Sequence, residues 1–349
     1  MARLIQPHHD VVFYPTYGHL TPGGREWSID VRGIVFAPGQ LTIRSRLVLR
    51  ALRRFMRVQP QAFESPIFRQ RIEGFLAVGE RGCRVSLRIG DRTYPLRRRS
   101  KGGGQFAGDL RLSVDHIEQL REAGEVEGHW LRFWLQMEDS ERQIEGRAQL
   151  LGDGGVSIIS DIDDTIKYTA VHCRRTLLTK TFLHEFEPID GMPRLYRGWA
   201  DQGATFHYVS SSPWQLYGPL LQFCIQEEFP HGTFHLRPFR FRDQMLARLF
   251  LVRRRGKGAV IHGMLKRFAQ RRFILVGDSG ERDPEIYAGI ARRFPDRVEA
   301  IYIRNLPHRP LDRRRYEKAF RRVNPELCQV FHTADELPRL LPLGEPTGV

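Results

Sequence analysis

A chain of 349 residues is longer than one hydrophobic core ordinarily serves, so two units are expected. With 41% hydrophobic and 27% charged residues the chain reads as folded and globular, which excludes a disordered protein. Its formal net charge of +15 favours acidic partners such as nucleic acid, anionic lipid or phosphorylated substrates, although a merely soluble basic surface has the same composition.

Residues 1–152 read as a β-rich, sandwich-like domain, with period-2 runs at WSIDVRGIVF (27–36), CRVSLRIG (83–90), QFAGDLRLS (105–113), HWLRFWLQM (129–137) and QIEGRAQLL (143–151). The turn segments GDRTYP, KGGG and EDSE separate them, which suits an antiparallel sandwich or barrel interrupted by a helix or two. Residues 43–58 form an amphipathic helix pattern. Ile43, Leu47, Ala51, Leu52 and Phe55 make one stripe, opposed by Arg46, Arg50, Arg53, Arg54 and Arg57. Such a helix covers a core or makes peripheral contact with an anionic membrane. Trp130, Phe133 and Trp134 fit a sandwich core with one exposed ring, and no nucleic-acid motif is found.

Residues 153–345 change texture. Short apolar strands VSIIS (156–160), TFHYVS (205–210), TFHLRPF (233–239), RFILVG (272–277), VEAIYI (298–303) and CQVFHT (328–333) alternate with helical stretches. That alternation implies βαβ units and a parallel sheet covered on both faces, with ligands beyond the carboxyl ends of the strands. Cys83, Cys173, Cys224 and Cys328 lie far apart, without a CxxC pair or a zinc-ligand spacing. The start MARLIQPHHD lacks a signal peptide's apolar core, and no stretch reaches the roughly 18 to 20 apolar residues of a membrane span. A cytoplasmic protein, at most peripheral to a membrane, is expected.

Chemistry-bearing residues gather at those strand ends. VSIIS runs into Asp161-Ile162-Asp163-Asp164-Thr165, and carboxylates at i and i+2 suit a nucleophile (Asp161) with a separate proton donor (Asp163). A DxD alone also suits a glycosyltransferase that holds a metal-bound nucleotide sugar. Ser210 ends TFHYVS and offers a hydroxyl to a phosphate oxygen; a cap for the helix beginning near Trp214 fits Ser211 or Ser212 better. RFILVG runs into Asp278-Ser279-Gly280-Glu281-Arg282-Asp283, where Asp278 and Asp283 suit Mg²⁺, or simply a helix start with acids at its positive end. Lys257 and Lys266 compete as the fixed cation; Lys257 opens a helix whose apolar stripe, Ile261 and Leu265, is expected to pack on the sheet, which would point it at the strand mouths, whereas Lys266 falls near the far end.

DxDxT, a Ser after the next strand, a Lys opening a helix and GDxxxxD together resemble the four motifs of the haloacid dehalogenase superfamily of phosphohydrolases. Beyond these, DIDDTIKYT, HYVSSSPWQLY, GM at 191–192 and LVGDSGERDPEIY are similar to the catalytic domain of the actin-patch-associated phosphatidate phosphatase family, over roughly residues 155–305. The resemblance implies a haloacid dehalogenase-like Rossmannoid α/β sheet and a Mg²⁺-dependent phosphomonoester hydrolase. Asp161 would be nucleophile and metal ligand, with Asp163 as acid/base and as a metal ligand through its carbonyl. Ser210 and Lys257 would bind phosphate, while Asp278 and Asp283 complete the metal site. The family often has Ser-Asn-Ser where this chain has Ser210-Ser211-Ser212.

The residues from Ile166 to Ala204 suffice for a small cap or flap, leaving the site open to a bulky substrate such as a lipid phosphate. Thr165 and Ser211 are candidate substrate contacts, as are Arg240 and Arg242, which together with Arg237 could grip a second anionic group or simply be solvated surface arginines. The alternatives are a phosphatase of another small or macromolecular phosphomonoester, and a non-catalytic protein that binds anionic lipid or a partner.

Overall fold

The computed structural model describes residues 3–37, 43–137, 141–169, 173–237 and 256–342. The chain divides into two units, Met1–Leu47 with Glu73–Asp153 and Val48–Ile72 with Gly154–Val349. The second unit thus takes a segment of the first half of the chain. The reason is apolar. Leu52, Met56, Phe63 and Phe68 are buried, and the Phe68 ring lies 6.2 Å from that of Phe182.

The first unit is β-rich. Its strands are β1 (Arg3–Leu4), β2 (Asp10–Tyr14), β3 (Thr16–Leu20), β4 (Glu26–Ala37), β5 (Val78–Gly79), β6 (Cys83–Arg84), β7 (Ser86–Ile89), β8 (Arg92–Pro95), β9 (Gln105–Ser113), β10 (Val126–Glu127), β11 (Trp130–Leu135) and β12 (Glu145–Leu151). Ten of them join in one branched sheet of order β2-β4-β3-β12-β11-β7-β8, with β5 and β9 paired to β4 and β10 to β11. The pairings are antiparallel except β3 with β12, two strands far apart in sequence that no hairpin needs to link. Alternation along β11 turns Leu131, Phe133 and Leu135 into the core and leaves Trp130 and Trp134 half-buried. Phe133 meets Phe13 edge-on at 5.2 Å, and Phe13 meets Phe106 at 5.6 Å.

The second unit carries β13 (Val156–Ser160), β14 (Thr205–Pro213), β15 (Gly232–Arg237), β16 (Arg272–Asp278), β17 (Val298–Arg304) and β18 (Cys328–Phe331). They form a wholly parallel sheet of order β15-β14-β13-β16-β17-β18. All five residues of β13 are buried, as expected for a central strand covered on both faces. The chain winds outwards in opposite directions from β13, so a crevice opens at the carboxyl ends of β13, β14 and β16.

Tyr168 N–H donates to Glu187 O, Ile189 N–H donates to Ile166 O, and the helix Arg174–Leu183 lies between these pairings. Among the described residues no helix is long and apolar enough to cross a membrane.

Candidate active site

β13 delivers Asp161 to the mouth of the sheet, where its N–H still pairs with Val276 O at 2.9 Å and only 1% of the residue is exposed. The next residues turn tightly. Ile162 O accepts from the N–H groups of Thr165, Ile166 and Lys167, and Asp164 adopts φ 55°, a left-handed conformation that Asp tolerates better than most residues. Asp164 Oδ1 accepts from Thr169 N–H at 2.9 Å, locking the turn. Thr165 Oγ1 donates to Asp161 Oδ2 at 3.4 Å.

The end of β16 supplies the opposite wall. Asp278 Oδ1 accepts from the N–H groups of Gly280 (2.5 Å) and Glu281 (3.1 Å), while Asp283, fully buried at the first turn of the helix Asp283–Arg293, accepts from Asp278 N–H through Oδ2 at 3.3 Å. Gly277 is needed here, because a Cβ would collide with the Asp283 carboxylate and the Tyr287 ring. Lys257, in the first turn of the helix Gly256–Arg267, places Nζ 2.8 Å from Asp161 Oδ1, 2.6 Å from Asp283 Oδ1 and 3.9 Å from Glu281 Oε2.

Asp163 is clamped separately. Its Oδ1 receives Lys167 Nζ at 2.9 Å and Thr169 Oγ1 at 2.8 Å, and its Oδ2 receives Ser210 Oγ at 3.1 Å and Ser212 Oγ at 2.6 Å. Ser212 N–H also donates to Ser210 Oγ, and Ser211 Oγ donates to Glu281 Oε2 at 3.3 Å. The expectation that Ser211 or Ser212 caps the following helix is therefore corrected. β14 continues to Pro213, the helical turn from Trp214 has no side-chain cap, and both hydroxyls are spent on carboxylates.

The two carboxylates of the first motif sit in opposite electrostatic settings. Burial pushes the Asp161 carboxyl well above the usual range; Lys257 opposes this, and the negative charges of Asp283, Glu281 and Asp278 reinforce it. Asp278 is raised likewise, by burial and then by Asp283 and Glu281. Burial also disfavours the Asp163 carboxylate, but Lys167 and the hydrogen bonds from Ser212, Lys167 and Thr169 outweigh it and hold Asp163 at about 2. Burial alone would lower Lys257, yet Asp161 and Asp283 keep its ammonium well above the ordinary lysine range.

Keeping Asp161, Asp278 and Asp283 ionised together takes more positive charge than Lys257 provides. Each offers an oxygen within 4.8 Å of the others, and the buried Asp278 Oδ2 has no hydrogen-bond partner among the described residues. An all-oxygen acidic set with an unpaired inward-facing atom fits a hard divalent cation.

Asp161, Asp163, Thr165, Ser210, Lys257, Asp278 and Asp283 converge on this crevice, with Ser211 reaching it through Glu281. Arg240 and Arg242 lie outside the described residues. Sequence reasoning missed Lys167, Thr169 and Ser212 as partners of Asp163, and assigned Glu281 only to a helix start. It also missed Arg304, which ends β17 opposite Asp278 and donates to Asp164 O at 2.9 Å. The position of Lys167, four residues after Asp163, was the available signal.

A parallel α/β unit with a buried carboxylate–lysine centre at the switch point of its sheet is the class of domain that fold and site define. Residues 156–305 match the family described as "Phosphatidate phosphatase APP1, catalytic domain". The chain is 40% identical over 154 residues to phosphatidate phosphatase APP1 of Saccharomyces cerevisiae, a stretch covering 43% of this chain and 26% of the relative. It is 35% identical over 161 residues to an uncharacterized protein of Schizosaccharomyces pombe, covering 45% and 26%. The chain thus spans about a quarter of the length of these relatives. Among solved structures, a β-glucuronidase of Parabacteroides merdae aligns at 11% identity with a TM-score of 0.24, covering 86% of this chain and 34% of that one, a likeness too slight to carry an argument.

Proposed function

We propose that the chain is a Mg²⁺-dependent phosphomonoester hydrolase of haloacid dehalogenase type, with a lipid phosphate of the phosphatidate class as substrate. The observation that carries this reading is the convergence of Asp161, Asp163, Ser210, Lys257, Asp278 and Asp283 on one crevice. A nucleotide-sugar transferase would leave Lys257 and the Asp278 and Asp283 pair without a purpose.

Asp161 attacks phosphorus, the bond to the leaving oxygen breaks, and Asp163 gives its proton to that oxygen. Asp163, now a carboxylate, takes a proton from the water that attacks the aspartyl-phosphate, and Asp161 and inorganic phosphate are released. Phosphate drawing the hydroxyls of Ser210 and Ser212 away from Asp163 Oδ2 removes two of the four donors that hold this carboxylate ionised, which raises its proton affinity so that it carries the proton it gives. Lys257 balances the charge gathered on Asp161 and the phosphoryl oxygens. Mg²⁺, held by Asp161, Asp278 and the Asp163 carbonyl with Asp283 in support, would supply the remaining positive charge.

The reading includes a cytoplasmic location with peripheral contact at anionic membrane, where the exposed Arg50, Arg53, Arg54 and Phe55 of the helix Ile43–Met56 would lie. Purified protein is expected to release phosphate from phosphatidate in mixed vesicles and from a generic monoester, with Mg²⁺. Retained activity in Asp161→Asn, free of contaminating phosphatase, overturns the assignment.

A further inference from the structure

Asp163 is served by more protein than its immediate donors. Lys167 Nζ carries three N–H groups; two engage Asp163 Oδ1 and Thr169 Oγ1, at 2.9 and 2.6 Å, and Phe186 faces the ammonium with its ring centroid 4.5 Å away. The same ring takes the guanidinium of Arg71, whose central carbon is 3.6 Å from the centroid. Arg71 is 3% exposed and is itself pinned, with Nη1 donating to Thr181 O at 2.7 Å and His184 O at 2.9 Å. Among the described residues its acidic partner is Glu185, at 3.4 Å and 75% exposed, so the buried charge of Arg71 rests there on carbonyls and a ring rather than on a buried carboxylate.

An arginine buried in this way is a costly means of filling space, because an apolar side chain would pack there without desolvating a charge. What the arrangement secures is the place of Phe186, and through it the place of Lys167. Lysine is a flexible four-carbon chain, and a fixed aromatic face beside its ammonium restricts where Nζ can sit. Arg71 comes from the helix Pro66–Leu76, outside the residues 156–305 that match the catalytic-domain family, so the first half of the chain contributes a member to this column.

We infer that Arg71, Phe186 and Lys167 form a positioning column that fixes the Asp163 carboxyl group for protonation of the leaving oxygen. The inference rests on the phosphatase reading above. The column acts through Asp163 rather than through the attacking Asp161, and in the steps that kcat/KM reports its effect falls on proton delivery at the breaking P–O bond.

That restriction sets the test. An alkyl phosphomonoester has a poor leaving group and depends on the proton, whereas p-nitrophenyl phosphate leaves readily without one. Because kcat/KM reports steps only through the first irreversible one, comparing it for the two substrates separates proton delivery from attack and from later hydrolysis. Wild type, Lys167→Met, Phe186→Leu and Arg71→Met are assayed on both substrates, with a thermal melt of each. Lys167→Met is expected to lose on the order of 100-fold with the alkyl ester and Phe186→Leu about tenfold, with changes within about threefold for p-nitrophenyl phosphate. Lys167→Arg should recover part of the alkyl-ester loss. Equal losses on the two substrates in folded variants, or no loss on either, would overturn the column while leaving the phosphatase reading in place. Wild type inactive on both overturns that reading and the column with it. Should Arg71→Met unfold, Phe186→Leu decides the matter, since leucine keeps the apolar burial and removes only the ring face.

Discussion

The two ends of the parallel sheet both bury polar side chains, but on opposite terms. At the amino ends of the strands Arg271 donates to Ser157 Oγ at 2.7 Å, to Thr205 Oγ1 at 2.8 Å and to the carbonyls of Gly154 and Val156. His207 bridges Ser157 and Thr233, at 3.1 and 2.7 Å, and Thr233 reaches His235 at 2.9 Å. There the Arg271 guanidinium donates to neutral oxygens. At the carboxyl ends the carboxylates of Asp161, Asp163, Asp278, Glu281 and Asp283 gather around the ammonium groups of Lys167 and Lys257, and among the described residues Asp278 Oδ2 has no hydrogen-bond partner. A polar network closed on itself adds rigidity and stability, whereas one left with excess charge and an unpaired atom is a site that a ligand completes.

The contrast fails if changes at the two ends act alike. Asp161→Asn should cost at least about a thousandfold in turnover. In metal-free buffer the same change should leave the melting temperature unchanged or raise it, because it relieves repulsion among buried carboxylates; a marked drop in a calorimetric melt would contradict the picture. Arg271→Met should do the reverse. It strands several buried oxygens and is expected to lower stability by about 3 kcal/mol in urea unfolding, while kcat/KM of the folded fraction stays within about twofold.

Metal provides the next discriminator. Mg²⁺ at a hundred times its dissociation constant should stabilise the wild type by about 2.7 kcal/mol, and should leave Asp278→Asn almost unmoved. An equal shift in both proteins would place the ion elsewhere.

The smallest effect belongs to His207, which burial, aided by the Arg271 charge, holds down to about 3. An unfolded histidine takes up its proton near pH 6.5, so below that pH the unfolded state binds a proton that the folded state refuses. Stability is therefore full above pH 6.5 and falls on acidification towards pH 3, by about 1 kcal/mol between pH 6.5 and 5.5. Replacing the imidazole in His207→Gln should remove that much of the slope from chemical denaturation curves, and an unchanged slope would show that His207 titrates normally.

Legibility followed distance along the chain. VSIIS and RFILVG are runs of buried β-formers followed at once by acidic residues; β13 ends with its run and β16 one residue past its own, at Asp278. The opening of a helix just before Lys257 was equally local, readable from the four-residue spacing to Ile261 and Leu265. The hydroxyls at 210–212 were harder. Their short polar side chains suit a helix cap and a carboxylate equally well, and only the extension of β14 to Pro213 selects the second. In the first unit the alternating runs marked strands well, but the parallel pairing of β3 with β12 is invisible to any pattern within one strand.

What the sequence by itself determined is the set of acidic strand ends and the lysine-bearing helix start, because strand periodicity and helix spacing act over a few residues. Only the tertiary structure decided who holds Asp163. The left-handed turn at Asp164 brings Lys167 and Thr169 back onto the carboxylate, and Arg71 reaches the Phe186 ring from more than a hundred residues upstream. Those contacts depend on a folded chain and on the burial that makes each charge costly, and neither is written in the local pattern.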